Sequence, residues 1–268
     1  MASNQTPDEI QRIQSAYRRR ILDCWNIPLG ARVLEVGCGQ GDMTAVLAEA
    51  VGENGNVVAT DIAGRNYGSP LTLGEATDNI KTTNLGKRID FHFEFDILNP
   101  LFDFGEFDFA VMAHCSWYFT STDQLSETFS ALAKHARYLC FAEWNSYPMS
   151  ADQVPHQVAV LIQSNLERYK TESQSNIRNP FTLDKIFRLI SETGWKLCKS
   201  GVPSTAGLQD ADWEIAECLA NTVSQARLMD LPSGVLSRIE KEVAYLQEIA
   251  LTTGNAPLSS VAFMTERL

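Results

Sequence analysis

No CxxC pair occurs in this chain, although it holds six cysteines, Cys24, Cys38, Cys115, Cys140, Cys198 and Cys218. Its four histidines are as scattered. No zinc spacing forms, and no metal site is expected. Cys38, Cys115 and Cys140 sit in or beside apolar runs, where free cysteine behaves as a small hydrophobe. This usage predicts a reduced, cytoplasmic protein. Long apolar runs are missing as well, and none approaches the ~20 residues of a membrane span. The opening "MASNQTPDEIQRIQ" lacks a basic region followed by an apolar one, so no secretory signal is expected. Basic charge is scarce. The formal net charge is -11 over 268 residues, a mean field that repels polyanions and disfavours nucleic acid as a partner. The compact basic cluster, Arg18, Arg19 and Arg20, reads as a solvated helix face. Repeats and low-complexity segments are absent, and the length suits one large domain or one domain with insertions.

What is present is an alternation. Thr6-Pro7-Asp8-Glu9 predicts a capped helix start, and Ile10, Ile13, Tyr17, Ile21 and Cys24 follow at helical spacing. "RVLEVG" reads as a strand, "DMTAVLAEAVG" as a helix ending at Gly52, and "NVVATD" as a second strand. A helix over 72–84 precedes a strand in "RIDFHFEFD". "FDFAVMAHC", a helix over 123–136 and "RYLCFAEW" continue the pattern. Such alternation predicts crossover units and a parallel sheet, its central strands apolar because both faces are covered. Beyond Trp144 come a helix over 152–170, one starting at Thr182 and stopping at Gly194, a strand in "WKLCKSG", helices over 209–229 and 233–251, and a closing strand in "SSVAFMTER".

The stretch "LEVGCGQGDMT" places Gly37, Gly39 and Gly41 directly after the first strand. A strand, a glycine turn and a helix at the head of such a sheet form a nucleotide-binding geometry. The spacing is GxGxG, not the GxGxxG of a dinucleotide fingerprint. Asp42 at the helix start and Glu35 nearby oppose a pyrophosphate and suit a cationic ligand without phosphate. "VLEVGCGQG", "VVATDIA", "FEFDIL" and "FDFAVMAHC", in that order, resemble the motifs of the class I S-adenosylmethionine-dependent methyltransferases. The resemblance runs from about Arg32 to Glu143, and more loosely through "GWKLCKSG". It implies an α/β fold with a Rossmann-like, doubly wound seven-stranded sheet, mostly parallel with an antiparallel last strand, and helical insertions forming a cap. One domain would span 1–268, with an N-terminal helix over 1–26, a cofactor-binding core over 32–144, insertions over 150–178 and 202–257, and the last strand over 258–268.

The resemblance also implies roles. Gly37, Cys38, Gly39 and Gly41 would pass beneath S-adenosyl-L-methionine, which leaves as S-adenosyl-L-homocysteine. Glu35 would sit near its ammonium, Asp61 and Ile62 at the ribose, and Asp96 and Ile97 at the adenine. Ala113 to Trp117 would lie beside the sulfonium. Taken alone, Asp61 reads more often as a helix cap or turn residue, and Asp96, before Ile-Leu-Asn-Pro, also reads as the organiser of a turn. For the acceptor, a general base is the residue to seek. His114, at the carboxyl edge of the fourth strand, has the right titration range. Glu143 is a second candidate and His156 a third, while His92 and His135 look peripheral. Trp117, Tyr118, Phe119, Trp144 and Tyr147 gather at the same edge and suggest an apolar pocket suited to an aromatic molecule. Tyr17 and the arginine cluster would cover the site from the first helix, and Arg20 would alternatively meet an acidic acceptor.

The expected activity is methyl transfer to oxygen or nitrogen of a small metabolite, of the kind met in secondary metabolism, by a monomer or homodimer. After the fourth strand "AHCSWYF" stands where an NPPY-type sequence would mark amino-group methylation of nucleic acids and proteins. Two alternatives stay open at this point: a protein or peptide acceptor, and the same fold binding the cofactor as a non-methylating enzyme or partner subunit.

Overall fold

Thr6 starts the first helix, α1 (Pro7–Asp23), through the expected capping box: its hydroxyl accepts from the Glu9 amide, and Glu9 accepts from the Thr6 amide at 2.8 Å. The computed structural model describes residues 6–69, 71–99, 104–173 and 175–268. Seven strands form one sheet: β1 (Arg32–Val36), β2 (Asn56–Thr60), β3 (Ile89–His92), β4 (Phe107–Ala113), β5 (Ala136–Trp144), β6 (Trp195–Gly201) and β7 (Ser260–Arg267), in the order 3-2-1-4-5-7-6. The first five run parallel, and β7 lies antiparallel between β5 and β6. The fold is thus the doubly wound one the sequence implies. The chain winds one way through β1, β2 and β3 and the other way through β4 and β5. The crevice between the ends of β1 and β4 is therefore the switch point at which such sheets bind ligands.

The remaining helices are α2 (Asp42–Val51), α3 (Leu73–Lys81), α4 (Thr122–His135), α5 (Val154–Glu167), α6 (Leu183–Glu192), α7 (Asp210–Arg227) and α8 (Val235–Thr253). Successive strand residues face opposite layers. Val33 and Val111 pack with Tyr17 and Ile21 of α1 and with Leu47 of α2. Leu34 and Met112 pack with Leu125 and Phe129 of α4 and with Ile186 and Leu189 of α6. A third apolar cluster joins α5, α7 and α8 through Ile162, Ile215, Cys218, Ile239 and Leu246. These three helices, drawn from the two insertions, stand together as the cap.

Two expected elements are shorter than their apolar patterns. The third strand, expected over 88–96, stops at His92. Glu94 takes a left-handed φ of 53°, and the amides of Glu94 and Phe95 donate to the carbonyls of Ala63 and Asp61. That segment is therefore bound to the loop after β2 and leaves the sheet. The helix expected over 72–84 ends at Lys81, where the hydroxyls of Thr82 and Thr83 donate back to the carbonyls of Asn79 and Ile80 at 2.7 Å. Such back-bonding competes with continuation of the helix, and a 3-10 turn over Asn84–Arg88 follows. Among the described residues, no helix is long and apolar enough to cross a membrane, no group of His, Cys, Asp and Glu could hold a metal ion, and all six cysteines are free.

Candidate active site

The loop after β1 folds its amides inward. Gly37 and Cys38 donate to the Thr60 carbonyl at 2.9 and 3.0 Å, Gly41 donates to Cys38, and Gly39 donates to Asp61 Oδ2 at 2.8 Å. Amides engaged in this way do not cradle an anion, in keeping with the reading against a pyrophosphate. Gly37 has φ +77° and so close a neighbour that a Cβ there would lie 2.5 Å from Cys115 Cβ. Gly39 also has positive φ, +53°, but a Cβ there would meet nothing within 4 Å. One glycine is thus required by the protein's own packing, whereas the other fronts open space at the switch point.

Asp61 directly follows β2 and holds this loop, because its Oδ1 also accepts from the Ala63 amide at 2.9 Å. Burial raises its pKa and the two amides oppose that rise. Beside it Ile62 is 65% exposed, an apolar side chain left open at the sheet edge. Asp96 is exposed and accepts from the Leu98 amide at 2.9 Å, while Ile97 is buried in the core. Cys38 is buried, with its thiol pKa raised by that burial.

Glu35 is buried in β1, and Thr44 donates to its Oε2 at 2.5 Å. Burial pushes its carboxyl up to about 8, with Asp61 adding to the rise and the Thr44 bond opposing it. The folded state therefore favours the protonated form relative to an unfolded glutamate near 4.5. That preference stabilises the fold fully below pH ~4.5 and is lost as pH rises toward about 8. Urea unfolding of the Glu35→Gln variant, which cannot ionise, should show less loss of stability than the native chain across this window. Equal pH slopes for the two proteins would refute the shift.

At the end of β4, His114 takes a left-handed φ of 53°, and its amide donates to the Ala142 carbonyl. Its imidazole lies between two partners, with Nδ1 3.2 Å from Glu143 Oε1 and Nε2 2.7 Å from the Tyr17 hydroxyl. A carboxylate only accepts, so the network assigns the proton to Nδ1 and leaves Nε2 as acceptor of the phenol's hydrogen bond. Glu143, 1% exposed, is held by further donors: the Ser116 amide and hydroxyl at 3.0 and 2.7 Å, and the Trp144 amide at 3.0 Å. Tyr17 is fully buried, which raises its phenol pKa, and its ring stacks on Trp144 at 6.1 Å.

A cavity of about 170 Å³ opens beside this group. Its floor includes His114, Glu143, Trp117, Tyr118 and Trp144 from the ends of β4 and β5. Arg18 enters from α1 and His156 from α5, and Asn176 and Ile177 come from the segment after α5. Asp210 and Glu214 enter from α7. The expected His114, Glu143, Trp117, Tyr118 and Trp144 are thus brought together. Ala113 ends β4 next to them, while Tyr17, hydrogen-bonded to His114, does not itself line the cavity. Within the arginine cluster the expected placement needs correction. Arg18 lines the cavity, Arg19 pairs with Glu49, and Arg20 donates to the Ser204 carbonyl. Sequence reasoning missed Asn176, Asp210 and Glu214. The last two had a legible signal, since carboxylates four residues apart share one helix face.

The profile of the family described as a methyltransferase domain matches residues 33–138. A cyclopropane-fatty-acyl-phospholipid synthase-like protein from Lactobacillus casei ATCC 334 is 32% identical, with a TM-score of 0.85 over 99% of this chain and 96% of that one. Methyltransferase phomM' of Diaporthe leptostromiformis is 23% identical over 85% of this chain and 72% of its own length. Magnesium protoporphyrin IX methyltransferase of Synechocystis PCC 6803, solved with bound S-adenosyl-L-homocysteine, shares the fold, with a TM-score of 0.54 at 14% identity over 100% of this chain and 90% of that one. This chain belongs to the class I S-adenosylmethionine-dependent methyltransferases. It is an enzyme of that class, with S-adenosyl-L-methionine as its cofactor.

Proposed function

We propose that the enzyme methylates oxygen or nitrogen of a small metabolite held between the sheet edge and the cap. The observation that carries this reading is the cavity of about 170 Å³, floored by His114 and Trp144 and roofed by α5 and α7. For scale, a dry cavity of about 150 Å³ admits benzene, so this one suits a compact, single-ring molecule. A polypeptide acceptor would need an open groove, which a roof of two helices opposes.

The residues at the switch point suit the cofactor. Gly39 fronts open space, Ile62 offers an apolar surface, and the buried Glu35 has a neutral hydroxyl as its partner where an ammonium would be favoured. Asp61 and Asp96 would take the ribose hydroxyls and the adenine amino group, with Ile97 and Cys38 packing beneath and Gly37 and Gly41 shaping the loop. S-adenosyl-L-methionine supplies an electrophilic methyl group on its sulfonium. The chain must orient the acceptor, exclude water and take up its proton. His114 takes that proton at Nε2, exchanging the Tyr17 hydroxyl for the acceptor, while Glu143 fixes the tautomer through Nδ1. Trp117, Tyr118 and Trp144 wall the acceptor.

The test uses S-adenosyl-L-methionine with a heavy-isotope methyl group and a deproteinised metabolite extract. A labelled small molecule is expected. Label that appears only on protein, when the extract's protein fraction is supplied in its place, would refute the reading. Two variants check the roles. Asp61→Ala should weaken S-adenosyl-L-homocysteine binding by about 1.5 kcal/mol or more, roughly tenfold, as measured by calorimetry. Unchanged affinity would remove Asp61 from the site. His114→Ala should lower kcat by about 100-fold or more with cofactor affinity nearly unchanged. An unchanged kcat would exclude His114 as the base.

A further inference from the structure

The wall contributed by the cap is charged in a way the methyl-transfer chemistry does not require. The cavity carries three carboxyl side chains, Glu143, Asp210 and Glu214, against one guanidinium, Arg18. Glu143 is occupied by His114, Ser116 and Trp144. The other two are held only by neutral amides. Glu214 Oε2 accepts from Gln163 Nε2 at 3.0 Å, and its Oε1 accepts from Asn176 Nδ2 at 3.0 Å. Asp210 Oδ2 accepts from Gln14 Nε2 at 3.2 Å. Among the described residues, neither carboxylate forms an ion pair. Burial raises the pKa of Glu214, the expected cost of placing a carboxylate away from water without a cation. The amides fix the orientation of these carboxylates but do not neutralise them.

A second observation comes from α5. His156 is 1% exposed and lines the same cavity. Its Nδ1 accepts from the Leu258 amide at 3.0 Å, and burial lowers its pKa to about 4. The ring is therefore neutral at pH 7 with its proton on Nε2. That N–H has no partner among the described residues. The side chain lines the cavity, where an acceptor atom can reach this donor.

Resting on the proposed transfer to a small acceptor, we infer that this acceptor is an amine. A protonated nitrogen is seated against Glu214 and Asp210, and an oxygen of the same molecule accepts from His156 Nε2–H. The charged nitrogen is a recognition handle. An aromatic body between the two groups would lie against Trp117 and Trp144. Arg18 sits over the Tyr17 ring at 5.2 Å, on the α1 side of the cavity, and leaves the acidic wall of the cap unneutralised.

The experiment takes the heavy-methyl products formed from a deproteinised extract and passes them over a cation exchanger at pH 3, where carboxylates are largely protonated and basic nitrogen is charged. The labelled product should be retained. With acceptor limiting, Glu214→Gln should lower its yield about tenfold or more, the scale of one charged hydrogen bond. S-adenosyl-L-homocysteine affinity should be unchanged in that variant, which shows that it is folded. Asp210→Asn should act in the same direction. A labelled product that passes straight through would overturn the amine assignment while leaving methyl transfer intact. A retained product made equally well by Glu214→Gln and Asp210→Asn would overturn the seat. No labelled small molecule at all would overturn the proposed acceptor class, and this inference would fall with it.

Discussion

Replacing Glu143 with alanine should destabilise the protein by about 3 kcal/mol or more. Its two oxygens receive the Ser116 and Trp144 amides, the Ser116 hydroxyl and the His114 imidazole, all within 3.2 Å. Alanine leaves three N–H donors unpaired in a place almost closed to water, at roughly 1–3 kcal/mol each. The hydroxyl can rotate toward another acceptor, but the amides cannot. Glutamine is no remedy, because donors approach both oxygens and its NH2 would face two of them in either orientation. Glu143→Gln should therefore retain at least half of the loss. Urea unfolding measures both variants. A loss below about 1 kcal/mol for alanine would mean that water reaches these donors, and the rigid tautomer assigned to His114 would no longer follow. Where the variants remain folded, turnover should fall with them, since the imidazole is then free to place its proton on Nε2.

The two halves of the site differ in how far the sequence discloses them, and the reason is distance along the chain. The cofactor half is local. β1, the glycine loop and the start of α2 are contiguous, and Glu35, Gly39 and Asp61 fall in a short stretch whose strand and helix patterns are strong. Even here one role was hidden. Asp61 reads as a ligand-binding carboxylate or a turn residue, yet it also anchors the Gly39 amide from 22 positions away. The acceptor half is assembled from α1, α5, the segment after α5 and α7. Gln14 meets Asp210 across 196 positions, and no periodicity within either helix announces that contact. The aromatic and histidine residues at the strand ends were legible because the parallel sheet fixes which edge they occupy. The spacing of Asp210 and Glu214 puts them on one face of α7, but their position over the site was not legible, because it depends on how α5, α7 and α8 pack on one another and over the sheet. The overlong third strand fails for a third reason. "RIDFHFEFD" keeps its apolar alternation past His92, but the left-handed turn at Glu94 and its bonds to the loop after β2 end the pairing.

Within the glycine loop, alanine should separate a packing requirement from a ligand requirement. Both Gly37 and Gly39 have positive φ, so alanine at either incurs about 1–2 kcal/mol of backbone strain. At Gly37 the added Cβ would also lie 2.5 Å from Cys115 Cβ, against a buried side chain. Overpacking adds about 1–3 kcal/mol, so Gly37→Ala should lose about 2–5 kcal/mol in all. At Gly39 the added methyl group meets no protein atom within 4 Å, and the stability loss should stop at the backbone strain. Its larger effect should fall on affinity. If the cofactor passes against this face of the loop, a methyl group there occupies the space that the cofactor needs. S-adenosyl-L-homocysteine binding to Gly39→Ala should weaken tenfold or more, on the scale of about 1.4 kcal/mol. The ratio of affinity loss to stability loss should therefore be high at Gly39 and low at Gly37. Calorimetry and urea unfolding on the two folded variants give that ratio directly. Native affinity in Gly39→Ala would show that the open face of the loop is not where the cofactor lies. The placement of Glu35, Asp61 and Ile62 around it would then have to be rebuilt from the other side of the β1–β4 crevice.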